Sequence, residues 1–489
     1  MSETKKGLKQ KAVKGVLWTA AQKYSITFIS FVSDIILARL LTPYDFGCIG
    51  MLAIFMILAE TFIDGGFGSA LIQKKQPTQI DYSTIFYWNL GMSVLLYAIL
   101  FFGAPAVARF FKIPQLSSVL RVQGLILFVY AFNVVQHNQL KKKLEFRTIA
   151  TVNIIASVVA LSVTIVMAYQ GFGVWSLVAK NLISASIVSI IFWFFVKWRP
   201  KLVFSWQSFK ELFSFGFYMF LIRLVNNIGG QIQGLLIGRF YNASTMGFYS
   251  KAKHTEGLAS KSVSDVMTQV TYPLYAKVQD DKVALQSMVR KLTMTISYIT
   301  FPLMFVLILL AKPIFVLLYT EKWLESVHYF QILCVAGLFE CLQSVNFLSV
   351  AAIGKSKISF VWTLVKRVVG IALVVGGLVV GGIKGLLIGM VCSTLCNYMI
   401  NISMVSRYVG YQWYRQLKDL FPVFSVSIAA MLLSFFSARF LQLNLYPDGI
   451  VKLMVFVVLY LGWSFVFKPE AYSFFKSTAL PMLNKVLKR

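Results

Sequence analysis

Long apolar segments recur along almost the whole length of this 489-residue chain. A bilayer core of about 30 Å requires about 20 mostly apolar residues for each helical crossing. About 14 segments meet that requirement, beginning near Val13 and ending near Phe467. The sequence therefore predicts an all-α integral membrane protein with about 14 transmembrane helices.

The basic residues indicate how these helices are oriented. With the N-terminus placed inside, the connections on that side and the two termini carry 29 Lys and Arg, and the opposite connections carry nine. Because basic residues are retained on the cytoplasmic side, this asymmetry predicts that both termini are cytoplasmic and that the number of crossings is even. We expect a multi-pass membrane protein.

Composition excludes several classes of function. The net charge of +29 is explained by topology and by anionic lipid head groups, so we expect no nucleic acid partner. Five cysteines and three histidines show no metal-ligand spacing and no catalytic arrangement, so we predict no metal, no catalytic residue and no bound cofactor. Since no connection exceeds about 20 residues, there is no room for a soluble catalytic domain, and we expect a protein that is not an enzyme.

An internal duplication predicts the domain organisation. A shift of 200 residues aligns LARLLTPYDFGCIG, from Leu37, with IGRFYNASTMGFYS, from Ile237. Each copy has six helices, and an even number places both copies in the same orientation, as in parallel-repeat transporters. We predict an N-terminal lobe at 1–205, a C-terminal lobe at 206–412, and two extra helices with a cytoplasmic tail at 413–489.

A Gly-rich tract from Gly376 to Gly389 has no P-loop ending. Its four-residue spacing at Gly377, Gly381, Gly385 and Gly389 indicates close helix packing.

Polar side chains concentrate in the first two helices of each copy. An ionisable group at bilayer depth costs about 2.5 to 3.5 kcal/mol on insertion scales and therefore indicates function. We expect these helices to line a central cavity. The predicted cavity cations are Lys23, Arg223, Lys253, His254 and Lys261, and the predicted polar lining is Thr27, Ser30, Asn227 and Gln231. Candidates for ion coupling are Asp34, Glu60, Asp64 and Asp265.

Several of these residues also have a simpler explanation. Lys23 could extend to the cytoplasmic surface, and Asp34 could pair with Arg39. Lys253, His254, Glu60 and Asp64 lie close enough to helix ends to be solvated. The deepest set, Lys23, Arg223 and Lys261, is cationic, which favours a substrate that carries phosphate over a cationic drug.

Two N-terminal segments resemble a known family. The stretch KGVLWTAAQKYSITFISFVSDIILARLLTPYDFGCIGMLAIF, followed by DGGFGSALIQKK, is similar to polysaccharide exporters and O-antigen flippases of the Wzx type, within the multidrug/oligosaccharidyl-lipid/polysaccharide (MOP) superfamily. The resemblance implies alternating access and a substrate of undecaprenyl diphosphate-linked oligosaccharide, moved from the inner to the outer leaflet of the bacterial plasma (inner) membrane. It further implies a role in lipopolysaccharide, capsule or exopolysaccharide synthesis, contact with membrane lipids and with polymerase and chain-length machinery, and drive from a proton gradient, a sodium gradient or the membrane potential.

Three other functions are also compatible with the sequence. A drug or metabolite cation antiporter of the multidrug extrusion class would favour an acidic and aromatic cavity. A peptidoglycan lipid precursor flippase would use the same chemistry on another head group. An O-antigen polymerase or ligase would need a sizeable external loop, and the external connections here are short.

Overall fold

The computed structural model describes residues 24–354, 356–441 and 443–476. These residues are helical apart from short connections, which confirms the predicted all-α membrane class. Eleven helices among them are long and apolar enough to cross a membrane. The count of 14 stays a prediction.

The chain forms two compact units, one ending at Ser250 and the other beginning at Lys251. The repeat predicted boundaries after residues 205 and 412, which differ from the boundary between the compact units. The predicted lobes therefore stay a prediction. The helices of the first unit are α1 (24–40), α2 (Pro43–Asp64), α3 (Phe67–Gln73), α4 (Gln79–Phe111), α5 (Gln115–Gln123), α6 (Ile126–Lys142), α7 (Phe146–Tyr169), α8 (Val174–Phe195) and α9 (Trp206–Phe240).

Helix α10 (Ala243–Lys277) begins in the first unit and continues into the second. The second unit contains α11 (Lys282–Leu309), α12 (Ala311–Tyr319), a 3-10 turn (Glu321–Trp323), α13 (Leu324–Ala352), α14 (Ser356–Tyr408), α15 (Trp413–Leu441) and α16 (Leu445–Phe467). A short helical segment at 470–476 follows. Arg290 of α11 donates to Asp419 of α15 and to Glu470, and so connects three elements of this unit.

Helix α14 is a hairpin of two helices, because Gly381 and Gly382 have non-helical backbone angles. A side chain at Gly377 would collide with the carbonyl oxygen of Gly385, and one at Gly389 with that of Leu373. The Gly-rich tract therefore packs helix against helix, as predicted from its spacing. Gly381 is the exception, since it lies at the turn and a side chain there would meet nothing within 4 Å.

Local signals begin the paired helices of the two repeats. Thr42 caps α2 in a capping box with Asp45, and the side chain of Asn242, 200 positions later, accepts a hydrogen bond from the backbone N–H of Thr245 in α10. One turn further along, a Cβ atom at Gly47 would lie 1.7 Å from the Ala243 carbonyl oxygen. A Cβ atom at Gly247 would lie 1.8 Å from the carbonyl oxygen of Pro43. This contact, which we call the glycine crossing, maps onto itself under the 200-residue shift and supports the duplication.

Candidate functional site

Helix α9 lies antiparallel along α2 in the first unit. Near one end, a side chain at Gly66 would meet the backbone of Gly216, and near the other end one at Gly238 would meet Met51 and Phe111. Small residues allow the two backbones to approach closely. The α2–α9 interface therefore fixes which polar side chains of the two helices meet.

Arg223 and Asp64 form an ion pair across this interface. Nη1 of Arg223 lies 2.5 Å from Oδ2 of Asp64, and Nη2 lies 3.4 Å from the Ser69 hydroxyl. The Asp64 side chain is 9% exposed, whereas that of Arg223 is 51% exposed. Because a guanidinium has five N–H donors, Arg223 keeps donors for a further anion while it neutralises Asp64.

Arg223 and Asn227 lie one helical turn apart on α9, and both contact α2. Nδ2 of Asn227 donates to the Thr61 hydroxyl at 2.8 Å, and a side chain at Gly234 would meet Met246 and the carbonyl oxygen of Gly50. Asn227, which we predicted as cavity lining, therefore pairs with a neighbouring helix. Gln231 is half-buried on the same helix.

Lys141 at the end of α6 belongs to the same site. It interacts electrostatically with both Arg223 and Asp64. On the sequence, Lys141 is one of several basic residues in a connection, and nothing in that pattern separates it from its neighbours. Arg223, which we expect to bind phosphate, therefore has a second cation close by in Lys141. The Asp64 carboxylate offsets one of these two positive charges.

Glu60 lies in a different environment from Asp64, although the two are one helical turn apart. It lines a cavity of about 520 Å³ inside the first unit, bounded by α2, α5, α6, α7 and α8. The polar side chains of this chamber are Glu60, Gln123, Tyr130, Asn133, His137, Asn153, Asn181 and Ser184. We call it the Glu60 chamber.

The Glu60 chamber is rich in oxygen atoms that can accept hydrogen bonds. Oε1 of Gln123 is buried and has no hydrogen-bond partner within the described part of the chain. Asn153 donates its Nδ2 to the Ile149 carbonyl, which leaves its oxygen available. Glu60 is the one carboxylate among the lining residues, so the chamber suits a cation or a proton better than an anion.

Sequence reasoning missed most of the Glu60 chamber. A signal existed in α6, where Tyr130, Asn133 and His137 repeat at three and four residues and therefore share one helix face. The amides on α7 and α8 stand alone in apolar segments, and only the fold brings them to the same cavity.

A second polar cluster connects the start of α9 to α3 and α4. Nζ of Lys74 lies 3.1 Å from Oδ1 of Asp81 and 3.0 Å from Oε2 of Glu211, and the Ser208 hydroxyl also donates to Asp81. Burial alone would lower the pKa of Lys74, but its bonds to Glu211 and Asp81 outweigh burial and raise the pKa. This cluster holds the first turns of α9 against the N-terminal helices.

The predicted residues of α10 beyond Ser250 lie in the second unit and differ in exposure. Lys253 is half-buried, and His254 and Lys261 are exposed. Lys251, which we did not select, is buried, with its ammonium 5.0 Å from the ring centres of both Tyr319 and Trp323. Cation–π contact therefore stabilises one cation of this helix inside the protein.

The remaining predicted residues are in α1 or outside the described residues. Thr27, Ser30 and Asp34 are half-buried on α1, and Asp34 interacts electrostatically with Lys180 of α8. Lys23 and the side chain of Asp265 lie outside what the structure describes. Within the described residues, no group of three or more His, Cys, Asp or Glu side chains could hold a metal ion.

Comparison with known proteins identifies the family. Residues 36–328 match the model of the polysaccharide biosynthesis protein family. The chain is 24% identical over 439 residues to lipopolysaccharide biosynthesis protein WzxC of Escherichia coli (strain K12), with 88% of each chain covered. It is 26% identical over 433 residues to succinoglycan biosynthesis transport protein ExoT of Rhizobium meliloti (strain 1021), with 86% of this chain and 85% of the other covered.

A solved structure supports the fold. Lipid II flippase MurJ, in an inward closed conformation, matches with a TM-score of 0.74 at 16% identity, covering 92% of this chain and 98% of MurJ. At that identity the likeness concerns the fold alone. The family match extends over more than half of the chain and includes most of the segments that suggested a Wzx-type exporter. The chain therefore belongs to the polysaccharide biosynthesis protein family.

Proposed function

We propose that this protein is a flippase that moves undecaprenyl diphosphate-linked oligosaccharide from the inner to the outer leaflet of the bacterial plasma membrane. The family match, the relatives named for lipopolysaccharide biosynthesis and succinoglycan transport, and a fold shared with a lipid flippase all support transport rather than catalysis. Its partners would be the lipid-linked sugar, membrane lipids and the polymerase and chain-length machinery. Both termini would be cytoplasmic.

The half-exposed Arg223 is the observation that carries the substrate assignment. A diphosphate offers several oxygens to a guanidinium and would compete with the single Asp64 carboxylate for its donors. Lys141 would add a second positive charge. In this mechanism Asp64 neutralises Arg223 before substrate binds, and phosphate oxygens of the diphosphate then replace the Asp64 carboxylate at the guanidinium. Lys23, Lys253, His254 and Lys261 are the further cations proposed for the head group.

Glu60 is the carboxylate best placed to couple transport to an ion gradient. It faces a polar chamber, so its charge can be compensated by a proton or a cation that enters and leaves as the protein alternates between states. Asp34, Asp64 and Asp265 are the other coupling candidates. Asp64 is less free than Glu60 to exchange a cation, because Arg223 already neutralises it.

Charge substitutions at Arg223 test the substrate assignment. In a deletion strain, we expect lipid-linked oligosaccharide to accumulate at the inner leaflet and surface glycan to be lost. Complementation with Arg223→Gln should lower surface glycan about tenfold, the scale of a lost charge-assisted hydrogen bond. The exposed Arg109 provides a matched control, and Arg109→Gln should complement fully. Normal glycan with Arg223→Glu would contradict the proposal.

The Glu60 chamber favours one rival function. An acidic, partly aromatic cavity is what a cation antiporter of the multidrug extrusion class would use, and the chamber contains Glu60, Tyr130 and Phe192. An antiporter would extrude cationic dyes, and it would leave lipid-linked oligosaccharide on its normal leaflet after deletion. Accumulation of peptidoglycan lipid precursor in place of the oligosaccharide would favour a precursor flippase.

A further inference from the structure

Two apolar grooves lie side by side on the surface of the first unit. The α7–α8 groove has a volume of about 500 Å³, and the α6–α8 groove has a volume of about 490 Å³. Phe194 lines both grooves and stands between them as a ridge, and 81% of the residue is exposed. The pair of grooves therefore offers two neighbouring apolar channels separated by one aromatic side chain.

The grooves match the depth of one leaflet. On α7 the lining runs from Arg147 to Ile155, and on α8 the two linings together run from Ser186 to Phe195. At 1.5 Å per residue these spans are about 12 to 14 Å long, close to half of a bilayer core of about 30 Å. The α7–α8 groove begins where α7 starts and α8 ends, and the α6–α8 groove begins at Phe194 near the end of α8, so both begin on the side predicted to be cytoplasmic. Each groove therefore extends from the head-group region towards the bilayer centre.

The walls of the grooves are apolar and the floor is firmly packed. Val152 belongs to a cluster of buried side chains that holds α6, α7 and α8 together, and Ile191 packs against this cluster. Nε1 of Trp193 donates to the Phe132 carbonyl at 2.9 Å, which fixes one wall of the α6–α8 groove. Such surfaces keep their shape when a chain occupies them.

The end of the α7–α8 groove near the head groups is cationic. Arg147 lines this end, and the hydroxyl-bearing Thr148 and Thr151 line the same groove from α7. Lys197 is exposed just after α8 ends. A phosphate at this level would meet positive charge and hydroxyl groups, whereas a lipid with no net charge would gain less from them.

We propose that these paired grooves bind one anionic phospholipid of the inner leaflet, with its phosphate at Arg147 and one acyl chain on each side of Phe194. Two channels divided at the depth where the chains of a phospholipid separate fit a two-chain lipid. A single polyprenyl chain would fill only one of them. The site lies wholly within the first unit and does not depend on the identity of the transported substrate.

Native mass spectrometry of the full-length protein in detergent can test the charge requirement. Titration with dioleoyl phosphatidylglycerol should show one tightly bound lipid, and dioleoyl phosphatidylcholine should bind more weakly. Arg147→Gln should lower the affinity for phosphatidylglycerol about fivefold, the value of one interfacial cation. Lys282→Gln, at an exposed basic residue of the second unit, should change nothing. Equal losses in the two variants would overturn the site.

The requirement for two chains is tested separately. On the wild-type protein, lysophosphatidylglycerol, which has the same head group and one chain, should bind more weakly than the two-chain lipid. Phe194→Ala should weaken binding of both two-chain lipids, while Phe465→Ala, an exposed phenylalanine of α16, should not. Tighter binding of a single-chain polyprenyl phosphate, with displacement of phosphatidylglycerol, would assign the grooves to the isoprenoid instead. Unchanged binding in Phe194→Ala would also overturn the proposal.

Discussion

At the scale of single residues, the positions of Arg223 and Asp64 within apolar segments predicted that they are functional, but not that they contact each other. Both were selected because a charge in an apolar segment is costly. That they bind each other across 159 positions could not be predicted, because periodicity describes one helix at a time. The sequence therefore identified the residues, and the fold determined their interaction.

The Arg223–Asp64 pair predicts a non-additive effect on stability. Asp64→Asn and Arg223→Gln should each lower the melting temperature of the detergent-solubilised protein, because each leaves a partner without its counter-charge. The double variant should melt no lower than the less stable single variant. Fluorescence-detected size exclusion after heating measures this. Additive losses would mean that the two side chains act independently.

Glu60 predicts a change in energetic coupling. In membrane vesicles, collapse of the driving ion gradient should lower export by the wild-type protein. Glu60→Gln should lower export about tenfold, within the range of coupling free energies, and should remove this sensitivity, because an amide cannot exchange its charge. Glu145→Gln, at an exposed position between α6 and α7, is the matched control. A variant at Glu60 that still responds to the gradient would exclude this residue as the coupling site.

At the scale of helices, apolar length, the internal repeat and glycine spacing predicted the helical class and part of the packing. The fold class, the register of the duplication and the close packing of α14 all follow from local patterns. The Glu60 chamber does not, because its four amides come from four helices, α5 to α8, and only the packing of these helices brings them together. Nothing in the sequence pattern indicated that Arg223 and Asn227 of α9 would contact α2.

The glycine crossing predicts a strong and local packing defect. Gly47→Ala places a methyl group where the Ala243 carbonyl oxygen lies, so α2 and α10 must separate. We expect a loss of about 1 to 3 kcal/mol, typical of overpacking, seen as a lower melting temperature or lower membrane levels. Gly91→Ala on α4 is the control, since a methyl group there meets nothing within 4 Å. Equal behaviour of the two variants would contradict the contact.

The bonds of Arg290 link α11, α15 and the segment at 470–476, and their contribution to stability can be measured. Arg290→Ala removes bonds to both Asp419 and Glu470, and we expect a loss of about 1 to 2 kcal/mol because the side chain is partly exposed. Lys282→Ala on the same helix should have no effect on the melting temperature. A melting temperature unchanged in Arg290→Ala would show that the link is solvated and weak.

At the scale of the whole molecule, the distribution of basic residues predicts topology. Green fluorescent protein fused after Arg489 should fluoresce, because it folds in the cytoplasm. Alkaline phosphatase fused after Lys112 should be active, because that connection is predicted to be external. Fusion of the phosphatase after Lys201 should be inactive and provides the opposite control. Activity at both positions would refute the assignment of sides.

The glycine crossing also limits how the two copies can diverge. Gly47 of α2 faces Ala243, the first residue of α10, and Gly247 of α10 faces Pro43, the first residue of α2. The contact is therefore isologous in the sense used for symmetric dimers. Widening one side alone would tilt one helix start relative to the other and break the shared geometry. A Cβ atom at either glycine would overlap a backbone carbonyl oxygen, so Gly47 and Gly247 are under the same steric constraint although 200 positions separate their codons.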